Sequence, residues 1–331
     1  MRRRAYLGLA LLLLAGALAT PGRAQQINDR VEYDAYVTVI NEKNLTRKST
    51  LAEKFLLDYK ETVAKKETYW MLILSYAEIP NWARAIELAE KLPALAPGFD
   101  AAQKNQVLLI GMNAAMQLKN NPKIIEWSEK VLAADPNQID ALRNLSFLWS
   151  TSFPADDAAK QHQMAKVLEI DKRALAQPKP AGVADATWTP IQVQLHRTSC
   201  LMLLNQKKNA EAIAECQEAL KLDKKDGDSY YLIGFAMIPD LNDRIRKYND
   251  SVNKLNDNRT ADQLTRDDLT ATRDGTLLIA TKTKDEIVLT FAKAVVAGGG
   301  YAAQARTKLQ EYATAPGELN KALADAKANL N

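Results

Sequence analysis

The stretch "NAEAIAECQEALKLDKKD" (residues 209–226) decides the fold class. Its apolar and small residues fall at Ala212, Ile213, Cys216, Ala219, Leu220 and Leu222, one face of an α-helix. Glu211, Glu215, Gln217, Glu218 and Lys221 cover the opposite face, and Asn209 stands where an N-cap belongs. Alanines at 212 and 219 let a second helix approach closely. Leu222-Asp223 then marks the turn out. The stretch reads as a helix shaped to be packed against.

The pattern recurs. "NWARAIELAEKLPALAPG" (81–98) places Ala85 and Ala89 before Pro97, and "NPKIIEWSEKVLAADPN" (121–137) places Ile124, Ser128 and Val131 before Asp135-Pro136. "ADDAAKQHQMAKVLEIDK" (155–172) places Ala165 and Val167 before Ile170-Asp171. Another helical stretch precedes the ones at 81–98, 121–137 and 209–226: Tyr69 to Ala77, with Leu72 and Tyr76; Val107 to Gly111; and "LHRTSCLMLLNQ" (195–206), with Cys200 at the small position. Tyr230, Ile233, Gly234 and Met237 open a further unit.

This arrangement resembles the tetratricopeptide repeat (TPR) family of paired antiparallel helices, over roughly residues 66–238. The resemblance implies an all-α, right-handed solenoid of five or so helix pairs, with Cys200 facing Ala212. It also implies a concave surface, built from the first helices, that binds extended segments or partner proteins. Departures are visible. Ile73 replaces the expected small residue, and the turn markers at 97, 136, 172 and 224 are unevenly spaced. Two prolines and a glycine in "QPKPAG" (177–182) must break the helix there.

Residues 25–65 are expected to form capping helices, with stripes Val31, Ala35, Val39, Ile40 and Leu51, Ala52, Phe55, Leu56. Residues 239–284 are rich in Asp, Asn, Thr and Lys and read as a polar insertion in a repeat. Alternation around Asp274-Gly275 predicts a short hairpin, with helix–loop–helix as the competing reading. Residues 285–331 should supply a repeat helix ended by glycines and two capping helices.

The N-terminus has its own logic. Arg2 to Arg4, the apolar run Leu7 to Ala19, Pro21-Gly22 and Gly22-Arg23-Ala24 make residues 1–24 a secretory signal peptide, cut after Ala24. The apolar run is short for a spanning helix, and no other stretch is apolar enough to span a bilayer. Removing the four arginines of this segment takes the formal charge of +4 close to zero. The basicity therefore belongs to targeting and does not argue for nucleic acid. The expected location is the periplasm or cell envelope.

Catalytic signatures are missing from the sequence. Only His162 and His196 are present, with no HExxH, no Cys/His cluster, no G-x-S-x-G and no phosphate-binding glycine loop. The Asp/Asn-rich tract 240–274 lacks the ligand spacing, Gly and closing Glu of a calcium loop. No cofactor is expected. Cys200 and Cys216 sit at packing positions and are expected as buried free thiols, with a disulfide as the alternative in an oxidising compartment. Tryptophans 82, 127, 149 and 188 are expected to fill inter-helix space. The partner-binding candidates are Trp70, Arg197 and Tyr231, at first-helix positions aimed at the concave face. The family's carboxylate clamp is not expected, because Trp70, Leu74, Arg197 and Leu201 fill its slots. The leading expectation is a non-enzymatic scaffold that binds a partner protein or peptide. A glycan- or small-ligand-binding protein, or an enzyme subunit with its site in 239–284, is the alternative.

Overall fold

The computed structural model describes residues 27–330, so the expected signal segment and its cleavage point lie outside the described residues. Among the described residues there are 14 helices and no strand. They fall into two compact units. One runs to Thr151 and adds Ala176–Val183; the other takes Ser152–Leu175 and everything from Ala184 onward.

The first unit contains α1 (Arg30–Asn41), α2 (Leu45–Asp58), α3 (Lys65–Glu78), α4 (Trp82–Leu95), α5 (Ala101–Gln117), α6 (Asn121–Ala134) and α7 (Ile139–Thr151). Each helix packs on the next, and α3 also touches α5, so one first helix meets the first helix of the following pair. Local chemistry sets the boundaries. The Asp29 carboxylate accepts from the Val31 and Glu32 amides, Asn44 accepts from Arg47, and Asp100 and Gln103 form a reciprocal capping box. Val39, Ala52 and Phe55 of the expected N-terminal stripes are buried, whereas Val31 is exposed in the first turn of α1.

The second unit contains α8 (Asp157–Leu175), α9 (Asp185–Asn205), α10 (Asn209–Leu222), α11 (Gly227–Asp257), α12 (Gln263–Ala297), α13 (Ala302–Tyr312) and α14 (Glu318–Leu330). Here α8 packs on α9, α9 on α10, and α10 on α11, with α9 also touching α11. In α8 the buried stripe is Met164, Val167, Ile170 and Ala174; Ala165 faces solvent, one residue off the expected register. The expected break at 177–182 separates α8 from α9, with Gly182 at a φ of 79°. Asp171, fully buried on α8, accepts a hydrogen bond from the Ser199 hydroxyl at 2.9 Å.

The short pairs share one register. Ile73, Met112 and Cys200 hold the same first-helix position. Twelve, sixteen and nineteen residues further on come Ala85, Ala89 and Leu92; Ile124, Ser128 and Val131; and Ala212, Cys216 and Ala219. All twelve residues are buried. The turns agree. Helices α5 and α9 both end with a lysine in the left-handed region, Lys119 at φ 53° and Lys207 at φ 60°. In each, two amides return to carbonyls of the last turn: Asn120 N to Ala115 O and Lys119 N to Met116 O, then Lys208 N to Leu203 O and Lys207 N to Leu204 O. This turn makes Lys208 the residue preceding α10, so Asn209 is the first helical residue and not the expected N-cap.

Two further expectations are corrected. Cys200 and Cys216 are not free thiols: they form a disulfide joining α9 to α10, with Cα atoms 5.5 Å apart. Cys200 therefore meets Cys216 across the pair, and Ala212 packs in the same buried cluster. The short hairpin around Asp274-Gly275 does not exist either, since both residues lie inside α12. The helix–loop–helix alternative describes the segment. Residues 239–257 continue α11 straight through Pro239, and α12 returns alongside it from Gln263. Pro239 sits on the exposed side, where one missing backbone hydrogen bond is tolerated while the opposite face stays packed.

Candidate functional site

Of the three residues singled out in the sequence, Arg197 and Tyr231 are brought into one cluster of the second unit; Trp70 lies in the first. Arg197, on α9, uses Nη1 to donate to Asp226 Oδ1 at 2.8 Å and Asp228 Oδ2 at 3.2 Å. Asp226 is the N-cap of α11 and also accepts from the Ser229 amide. Both carboxylates sit at the positive end of the α11 dipole, which favours their charge. Asp228 Oδ1 in turn accepts from the Tyr301 amide at 3.0 Å. The Tyr301 ring stacks on Tyr231 at a centroid distance of 4.8 Å. Tyr231 also leans on Phe291 and Phe235, and Phe235 is 46% exposed at the end of this aromatic row.

Glycines make the cluster fit. A Cβ at Gly227 would collide with the Gly298 carbonyl, and one at Gly299 would collide with the Asp228 carboxylate. Gly299 also has a φ of 112°. The triple glycine 298–300 reads in sequence as a helix stop; its docking on the start of α11 is a tertiary fact.

Trp70 is half-buried on α3, with its ring edge-on to Phe99 at 5.6 Å. Beside it lies a feature the sequence reading missed. Helices α2, α3 and α4 enclose an open groove of about 400 Å³, lined by Tyr69 but not by Trp70. Its leucines include Leu56, Leu88 and Leu57, the last 68% exposed. Polar groups lie beside them. The Tyr76 hydroxyl and Arg84 Nη2 both donate to Glu53 Oε1 at 2.7 Å. Arg84 Nη1 and Lys91 Nζ hold the two oxygens of Glu87 at 2.6 and 2.7 Å. Burial, then the hydrogen bond to Glu53, pushes the Tyr76 hydroxyl up to about 12.

A spacing could have revealed this network. Arg84 and Glu53 are 31 residues apart and join α4 to α2; Lys123 and Glu90 are 33 apart and join α6 to α4. Both ion pairs therefore join one second helix to the next, at separations of 31 and 33 residues.

Trp127 and Trp188 are buried packing residues, as the sequence suggested for most tryptophans. Gly111 admits the Trp127 ring, since a Cβ there would lie 2.5 Å from it. His196 Nδ1 is 2.8 Å from Glu215 Oε2, and His162 is exposed on α8. Among the described residues no three His, Cys, Asp or Glu side chains gather to hold a metal, and no helix is long and apolar enough to cross a membrane. No known family model matches the chain, and no curated protein matches it. Consecutive packed helix pairs in a shared register are the arrangement of a repeat helical protein.

Proposed function

We propose that this chain is a non-enzymatic interaction scaffold, a TPR-like right-handed solenoid exported to a bacterial periplasm or cell envelope, that holds an extended segment of a partner protein. The observation that carries the reading is the groove between α2, α3 and α4. It offers exposed leucine surface beside half-exposed carboxylates and cations that are already paired by mutual hydrogen bonds. A partner segment can bury apolar side chains there without the groove having to reorganise, which limits the entropic cost of binding. The shared register of the short pairs supports the repeat assignment. The disulfide supports export, because such bonds persist in oxidising compartments. Trp70, Arg197 and Tyr231 remain partner-contacting candidates in this proposal, through the exposed parts their internal contacts leave free.

The test is capture from solubilised envelope extract by the immobilised chain from Gln25 onward. One or two proteins should be retained by the wild type and lost with Leu57→Asp or Arg84→Glu, while circular dichroism of both variants stays helical. A blank capture overturns the reading. So does a set of captured proteins that both groove variants, Trp70→Ala and Tyr231→Ala all retain unchanged.

A further inference from the structure

We propose that the outer face of α12 docks a second copy of this chain, the two helices crossing antiparallel about a two-fold axis at Gly275. The distal parts of α11 and α12 form a two-helix arm with a thin seam. Between 239 and 284 only Leu241, Ser251, Ala280 and Thr283 are buried, and Ser251 and Thr276 bridge the arms through their hydroxyls at 3.0 Å. The arm leaves apolar surface uncovered. Leu277, Leu278 and Ile279 are consecutive and exposed, Leu278 by 70%. Together with buried Ala280 they make one turn of α12 apolar on every side, and such a turn calls for cover on a second side.

The residues around Gly275 say what that cover is. Positions three, four and seven residues on either side of a central residue lie on its helical face. N-terminal to Gly275 these are Thr272, Ala271 and Asp268; C-terminal to it they are Leu278, Ile279 and Lys282. All are exposed, as is Gly275. Laid antiparallel on itself about Gly275, this face sets Leu278 against Thr272, Ile279 against Ala271 and Lys282 against Asp268, and does so twice. Large meets small and cation meets anion, the self-complementarity a two-fold interface requires. Gly275 meets itself at the point of closest approach.

Two further facts fit. A Cβ on Gly275 would touch nothing within 4 Å, so the chain's own packing gives no reason for a helix-weakening glycine there. Asp268 and Lys282 make no ion pair among the described residues, whereas Asp240 with Arg244 and Asp243 with Lys247 pair along the neighbouring arm.

Sedimentation of the full chain over a micromolar concentration series tests this independently of any captured partner. The wild type should pass from monomer to dimer and stop there. Gly275→Leu should remain monomeric without a lower melting temperature in dilute solution, since the added side chain enters open space. Asp268→Lys should weaken the dimer by about tenfold or more, and adding Lys282→Asp should restore it. Gly275→Cys should give a covalent dimer on mild oxidation. A wild type that stays monomeric throughout overturns the proposal. So does a dimer indifferent to Gly275→Leu and Asp268→Lys, or association that continues past the dimer.

Discussion

The α5/α6 pair and the α9/α10 pair place different chemistry in the same seat. Both first helices end in the same left-handed lysine turn, and in both the paired seats are separated by 16 residues. In α9/α10 the seats are two cysteines, covalently joined. In α5/α6 they are Met112 and Ser128, one long flexible side chain and one small one, both buried. The α3/α4 pair takes a third solution, Ile73 with Ala89. The same register thus admits two residues of middle size, or a large one with a small one. A large Ile73 is accompanied by a small Ala89 in the same way.

The comparison can be broken most directly at the covalent pair. Replacing both cysteines, Cys200→Ala with Cys216→Ala, should cost about 2–4 kcal/mol, because a cross-link no longer restricts the unfolded chain. Denaturant unfolding would measure it, and a reductant should lower the wild-type midpoint while leaving the double variant unmoved. An unchanged midpoint would mean that packing alone holds α9 to α10.

The converse experiment sharpens the register. Met112→Cys with Ser128→Cys should form a second disulfide, read on a non-reducing gel after proteolysis. It should add stability of about 1–2 kcal/mol, less than the native bond contributes, since engineered bridges strain their hosts. Ser128 is a suitable site because its buried hydroxyl has no hydrogen-bond partner to lose. Failure to cross-link would show that the two pairs are not equivalent.

The smallest effect concerns pH. The disulfide does not titrate, but the Tyr76–Glu53 contact in the first unit does. Tyr76 is raised from an ordinary 10.0 to about 12, by burial first and the Glu53 hydrogen bond second. Its stabilising contribution is therefore complete below pH 10 and lost as pH rises through about 12. Tyr36, Tyr69, Tyr230, Tyr231 and Tyr312 are also raised by burial, so ultraviolet titration should be compared with Tyr76→Phe: the latest-ionising group should vanish in that variant, and Glu53→Gln should bring it earlier. A Tyr76 that ionises with the exposed tyrosines would contradict the groove geometry.

The short pairs were legible because each is set by local rules: a small-residue stripe at helical spacing, a polar opposite face, and prolines or turns at the ends. The stretches at 81–98, 121–137 and 209–226 became α4, α6 and α10 almost within their quoted bounds. The arm was legible only as the competing helix–loop–helix reading. Its sequence is polar, its seam holds few apolar residues, and Asp274-Gly275 carries a strong turn signal at short range. Helix α12 runs through that signal because α11 lies alongside and extends the packing begun around Phe291. There Gly234 admits the aromatic ring, with a would-be Cβ 2.9 Å away.

By itself, then, the sequence determined the helical class and the paired organisation, both properties of contacts within some tens of residues, while the residue facing Cys200 was set only in the packed pair. Tertiary structure alone decided three things: that the cysteines bond, that residues 239–284 form a helical arm, and that Arg197 and Tyr231 belong to one cluster through Asp228 and Tyr301. Each of these depends on which helix lies beside which, and no local spacing encodes that choice.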